Sequence, residues 1–165
     1  MSSLPRKGFT LIELLVVISI IGLLSSIVFA SLDGARKKAR IAKAQTELNQ
    51  IHLAMELLFD DTGLLPRALP PSPCVQNPEI YLNDSRAGLQ STDGSFPNWN
   101  GPYMTNVPLD PWGKNYWFDP DYTCGATTIG CQGLTKTVRV IQSHGPNKAW
   151  EYGNSDDIVL ILCAP

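Results

Sequence analysis

Charge is what this sequence has least of. Aspartate, glutamate, lysine and arginine make up 17% of its 165 residues, against about 25% in an ordinary soluble domain. The 13 basic and 15 acidic side chains leave a formal charge of −2, which excludes the global positive field that draws a protein surface to nucleic acid. Cys74, Cys124, Cys131 and Cys163 include no CxxC pair, so zinc-ribbon and thioredoxin readings fall away. There is no G-x-S-x-G string, and neither His52 nor His144 stands beside a nucleophile motif, so no enzyme is expected. Asp119 and Asp121, on either side of Pro120, read as an exposed turn rather than a catalytic carboxylate pair. No internal repeat is present, and the length suits one compact domain with an appendage.

The missing charges are missing together. Residues 9–32 hold one charge, Glu13, and no proline. As a helix they reach about 36 Å, enough for a hydrocarbon core of about 30 Å. A cleaved secretory signal has an apolar region of only about 7–15 residues and an A-x-A site after it; here the run is longer and the site is missing. The run therefore reads as a retained membrane segment behind a short polar leader, residues 1–8, that holds Arg6 and Lys7.

Helical patterning continues past the apolar run, because Ile41, Ala44, Leu48, Ile51, Met55 and Leu58 recur at spacings of three and four. One helix is predicted from residue 9 to about 61, in an apolar half (9–32) and an amphipathic half (33–61), with Gly22 and Gly34 as its soft points. Gly63, Pro66, Pro70, Pro71, Pro73 and Pro78 then exclude helix. Residues 83–102 read as an irregular surface excursion. Strand-like runs follow at 116–119, 137–142 and 158–162. The expected fold is α+β: a long N-terminal helix packed on a small antiparallel sheet with long loops, the head spanning residues 62–165. Four cysteines outside the apolar run favour disulfides in an oxidising compartment, with three connectivities open. Cys124–Cys131, closing a short loop, and Cys74–Cys163, tying the Pro-rich segment to the C-terminal end, are the preferred pairs.

Glu13 is the physical oddity, since an ionised acid inside a bilayer costs at least about 2.5 kcal/mol and is a functional candidate by default. Cleavage after Gly8 would give it a partner, the new amino group of Phe9 on its own or a neighbouring subunit. The string Gly8, Phe9, Thr10, Leu11, Ile12, Glu13, Leu14, Leu15, Val16, Val17 resembles the class III signal of type IV pilins and type II secretion pseudopilins. The resemblance implies cutting by a prepilin peptidase between Gly8 and Phe9, N-methylation of Phe9, and Glu13 as the carboxylate that registers subunits during assembly. Ala30 stands where many relatives carry proline.

Arg36, Lys37, Lys38, Arg40 and Lys43 follow the apolar run, against Arg6 and Lys7 before it. That distribution opposes the positive-inside rule, while the cysteines and the resemblance place the C-terminal domain outside. The basic run reads as a solvated or headgroup-facing helix surface, with lipid or DNA as the polyanion it could meet.

A second resemblance, to the major pseudopilin of type II secretion, lies in Asp110, Pro111, Trp112, Gly113 and Tyr116. Physically the string is a tight turn with Trp112 as a large buried anchor. The resemblance implies a calcium loop after it. Asn147, Asp156 and Asp157, with a carbonyl near His144, are the expected ligands, in a stretch that also holds Asn154, Ser155 and the unfavourable Lys148.

The expected function is structural: a homo-oligomeric pilus-like or pseudopilus filament, built from a single-pass inner-membrane precursor and ending as a periplasmic or extracellular fibre. Its implied partners are the prepilin peptidase, an assembly platform protein with its ATPase machinery, and membrane lipid before assembly. The competing reading is a monomeric membrane-anchored binding module, an adhesin or DNA receptor using residues 74–102.

Overall fold

The structure, a computed structural model, describes residues 8–149 and 156–164, without the side chains of residues 29 and 30. Residues 1–7, the Ala30 side chain, Asn154 and Ser155 lie outside the described residues. The chain divides into two units, Met1–Ala39 and Arg40–Pro165. One helix, α1 (Leu11–Thr62), passes through both, without a break at Gly22 or Gly34. It begins two residues later than its apolar run because Thr10 takes the cap position: the Thr10 carbonyl accepts the first helical bond, from Leu14 N–H at 3.3 Å.

Among the described residues of the first unit, none covers α1. Every large apolar side chain described from residue 11 to 32 is exposed, by between 39% and 83%. Over its most apolar 18 residues the mean hydropathy is 2.7, and by length and composition the helix can cross a membrane.

In the second unit α1 turns one stripe inward. Ala44, Leu48, Ile51, Ala54, Met55 and Leu58 are buried, whereas Leu53 and Leu57 stay exposed. Burying each large member contributes roughly 1.5–3 kcal/mol. The stripe meets a four-stranded antiparallel sheet in sequential order, β1 (Ile80–Tyr81), β2 (Trp117–Thr123), β3 (Thr137–Ser143) and β4 (Ile158–Cys163). Phe118, Ile141 and Ile158 lie on the helix side of the core. Val138, Val140, Val159 and Tyr122 form a second core on the opposite face, with Cys124 and Cys131. Two-sided contact explains why β4 reads as a continuous apolar run.

Three segments differ from their sequence reading. Residues 83–102 are not a surface excursion alone: Ala87, Leu89 and Phe96 enter the main core, with a 3-10 turn at Ser85–Ala87. Gly88 sits there at φ 78°, where any Cβ would strike the Phe96 ring. Asp119 and Asp121 are on β2, not in an exposed turn, and Asp119 is 3% exposed. Pro120, which has no N–H to give a ladder, falls where the β2–β3 register shifts between Asp119 and Tyr122. β1, two residues long, carried no strand signal in the sequence.

Cys74–Cys163 and Cys124–Cys131 are both disulfide-bonded, with Cα atoms 5.7 and 5.8 Å apart. Beside the first, Arg139 is 1% exposed, and its guanidinium donates to the carbonyls of Pro70, Pro71 and Pro73 at 2.9–3.4 Å. Consecutive prolines lack donors, so a buried arginine supplies the donors that organise their carbonyls.

Candidate functional site

The N-terminal constellation is built on a helix start. Gly8, Phe9 and Thr10 are outside the helix and exposed, Phe9 by 87%. Thr10 N–H and Oγ1–H donate to Glu13 Oε2 at 2.9 and 2.8 Å, and Glu13 N–H donates to Thr10 Oγ1 at 3.2 Å. This is a reciprocal capping box, in which a Thr at the cap and a Glu three residues on satisfy each other's orphan donors. The carboxylate therefore has a partner before any cleavage, and the negative charge sits at the positive end of the helix dipole. The T-x-x-E spacing carries that signal in the sequence.

The Asp110 corner is held by polar bonds more than by its tryptophan. Trp112 is half-buried, and the buried anchor is Asp110, 4% exposed. Its Oδ1 accepts from Trp112 N–H at 3.0 Å and Lys114 N–H at 2.8 Å, and its Oδ2 accepts from Ser143 Oγ at 2.5 Å. Gly113 turns the chain at φ 85°. Tyr116, fully buried, donates to Glu47 Oε2 on α1 at 2.6 Å, and burial followed by that carboxylate pushes its phenol well above the usual range. The corner thus ties sheet to helix.

In the C-terminal loop, Gly145 at φ 64° lets the chain pass so close to the Asp156 carbonyl that a Cβ would collide with it. Asn147 N–H donates to Asp156 Oδ2 at 3.2 Å, leaving Asp156 Oδ1 buried and without a hydrogen bond. Asn147 Oδ1 accepts from Ala149 N–H at 2.7 Å. Asp157 is fully buried, and its Oδ2 accepts from the Tyr122 hydroxyl at 3.2 Å. His144 is 5% exposed, its imidazole kept neutral first of all by burial. Tested against calcium, which takes six to eight oxygens, Asp156 fits as it stands. Asn147, Asp156 and Asp157 have each committed one side-chain oxygen within the protein.

A different acidic group was missed by the sequence reading. Carboxylate oxygens of Glu79, Asp119 and Asp121 lie within 4.8 Å of one another. Burial, then Asp121, raises Asp119 to about 7, and burial followed by Asp121 also raises Glu79. Asp119 and Asp121 alone gave a faint signal; Glu79 lies 40 residues earlier. His52 is half-buried on α1, with its Nε2 3.6 Å from Glu56 Oε1 one helical turn on.

A capped apolar helix opened by Gly8, Phe9 and Glu13, continued by an amphipathic half on a four-stranded sheet, defines a pilin-like subunit of the prepilin class. Residues 4–29 match the prokaryotic N-terminal methylation motif, and residues 83–137 match type II secretion system protein G. The type II secretion system core protein G of Vibrio cholerae is 30% identical over 137 residues, covering 78% of this chain and 82% of the relative. That of Pectobacterium carotovorum is 31% identical over 122 residues, covering 70% and 67%. No solved structure matches. The chain belongs to the type II secretion system protein G family, the major pseudopilins.

Proposed function

We propose that the chain is a structural subunit of a type II secretion pseudopilus, made as an inner-membrane precursor, cut between Gly8 and Phe9, methylated at Phe9 and assembled through α1. In this reading residues 1–8 are a removed leader and 9–32 are first a membrane anchor and then the filament core. Residues 33–61 carry the helix into the head, and 62–165 form a periplasmic domain. The observation that carries it is the wholly exposed apolar side of α1 from residue 11 to 32. Such a surface needs lipid before assembly and neighbouring helices after it. Repeated head-to-tail contacts then give an open fibre rather than a closed ring.

Glu13 has the chemistry for registration. The capping box uses Oε2, which leaves Oε1 for the Phe9 ammonium of a neighbour, so cap and inter-subunit pair coexist. The work of the chain on this reading is mechanical, with prepilin peptidase, assembly platform and ATPase acting on it. Calcium in the loop from His144 to Asp157 belongs to the same proposal. Asp156 Oδ1 offers a ready oxygen there, with the Asp157 carboxylate beside it in the chain, and Asn147 contributes once it releases Ala149.

Mass spectrometry of the native N-terminus is expected to find N-methylated Phe9. A chain still starting at Met1, or cut near Ala30, overturns the processing. Glu13→Ala is expected to abolish filaments visible by electron microscopy, and normal filaments from that variant would remove Glu13 from assembly. Addition of calcium is expected to raise the melting temperature of the full chain in micelles, an effect lost in Asp156→Ala.

A further inference from the structure

One charged cluster in the head is used by nothing above. Glu79, Asp119 and Asp121 crowd together, and among the described residues no lysine or arginine forms an ion pair with them. Glu79 is also one wall of a cleft of about 250 Å³ whose other walls are the rings of Tyr81, Trp117 and His144. Tyr81 and Trp117 meet edge to face with centroids 4.1 Å apart, and the His144 ring lies 6.2 Å from Trp117.

The same sheet face holds polar atoms with nothing to bond. His144, 5% exposed, has an unpartnered Nδ1, and the buried Trp117 Nε1 is unpartnered too. Gln142, fully buried and paired across the ladder with Trp117, has neither amide atom hydrogen-bonded. A buried polar group left without a hydrogen bond is destabilising, and their concentration beside an anionic aromatic cleft points to a ligand.

We propose that this cleft receives a lysine side chain, supplied by a second copy of the chain from its basic run, Lys37, Lys38 or Lys43. An ammonium brings three donors, for which Glu79 and the neutral His144 ring offer acceptors. Its methylenes pack against the Tyr81 and Trp117 rings, whose π systems attract the ammonium. The basic run has the complementary need. Its residues are exposed, and among those described only Lys43 has an ion pair, with Glu47 at 3.7 Å. In the membrane-anchored precursor, lipid headgroups neutralise it; extraction into a filament removes them, and carboxylates on a neighbouring head replace them. The choice of a second copy rests on the assembly reading above.

Two experiments test it. With the full chain in micelles, Nα-acetyl-lysine methylamide is titrated while the Trp117 indole N–H resonance is followed, identified by its loss in Trp117→Phe. A saturable shift is expected, weakened at least tenfold by Glu79→Gln and absent with the norleucine analogue. An equal response to norleucine, or displacement of the lysine compound by equimolar calcium or magnesium, overturns the lysine site. In filaments of mixed nitrogen-14 and nitrogen-15 chains, carbodiimide is expected to join Glu79 of one copy to Lys37, Lys38 or Lys43 of another. Filaments lacking that crosslink, or with Glu79 joined to a different protein, overturn the second copy as donor. Failure to form filaments removes that donor together with the assembly reading, while the micelle titration stands independently of both.

Discussion

Asp110 carries its structural weight through both carboxylate oxygens, bonded to two backbone N–H groups and to Ser143. Asp110→Ala strands three buried donors, and a loss of about 3 kcal/mol is expected in urea unfolding. Ser143→Ala, which removes one of those bonds, is expected to cost about 1 kcal/mol. Asp119 works in the opposite direction. Its folded-state pKa, raised by burial to about 7 from the ordinary 3.8, means that the native state holds a proton which the unfolded chain has released between those limits. Stability from this group therefore falls as pH rises from about 4 to 7. Asp119→Asn is expected to raise the melting temperature at pH 8 and leave it nearly unchanged at pH 4. The sequence disclosed Glu13 by its isolation in an apolar run. It hid Asp110 behind the more conspicuous Trp112, because burial of a small carboxylate depends on backbone donors that no residue pattern reveals.

Among the elements, α1 was legible nearly to the residue. The three-and-four spacing of apolar positions fixes its buried stripe, and its end at Thr62 follows from Gly63 and Pro66. Only the Thr10 cap shifted its start. Leu48→Ala or Ile51→Ala is expected to cost about 2–5 kcal/mol by denaturant titration, while Leu53→Ala, 61% exposed, changes stability by less than about 0.5 kcal/mol. The strands β2, β3 and β4 were visible as apolar and aromatic runs. β1 was invisible because two residues make no pattern, and its pairing with β2 is decided by tertiary packing. The same limit applies to residues 83–102, whose turn-rich composition concealed three buried side chains. In the segment between β2 and β3, Gly130 at φ 106° presses its backbone on the Val159 carbonyl, so Gly130→Ala is expected to lower the melting temperature by several degrees.

At the scale of the whole molecule, the two disulfides differ in what they constrain. Cys74–Cys163 spans a sequence separation of 89 and Cys124–Cys131 one of 7. Loop-closure entropy makes the longer one worth about 4–5 kcal/mol and the shorter about 2–3. The Cys74→Ser, Cys163→Ser pair is expected to lose about 2 kcal/mol more than the Cys124→Ser, Cys131→Ser pair in equilibrium unfolding. The even cysteine count announced bridges, but only the fold, by bringing the Pro-rich segment to β4 through Arg139, decides which thiols meet.

The cap at Thr10 also reaches outward. A peptidase engages a chain it can stretch through its active site, and a bond inside a helix is wound away from it, with its carbonyl already taken. By ending the helix at Leu11, the threonine and glutamate keep Gly8 and Phe9 unwound at the edge of an otherwise continuous coil. The residue proposed to bind subunits together thus also acts as a fence around the bond proposed to be cut before they assemble.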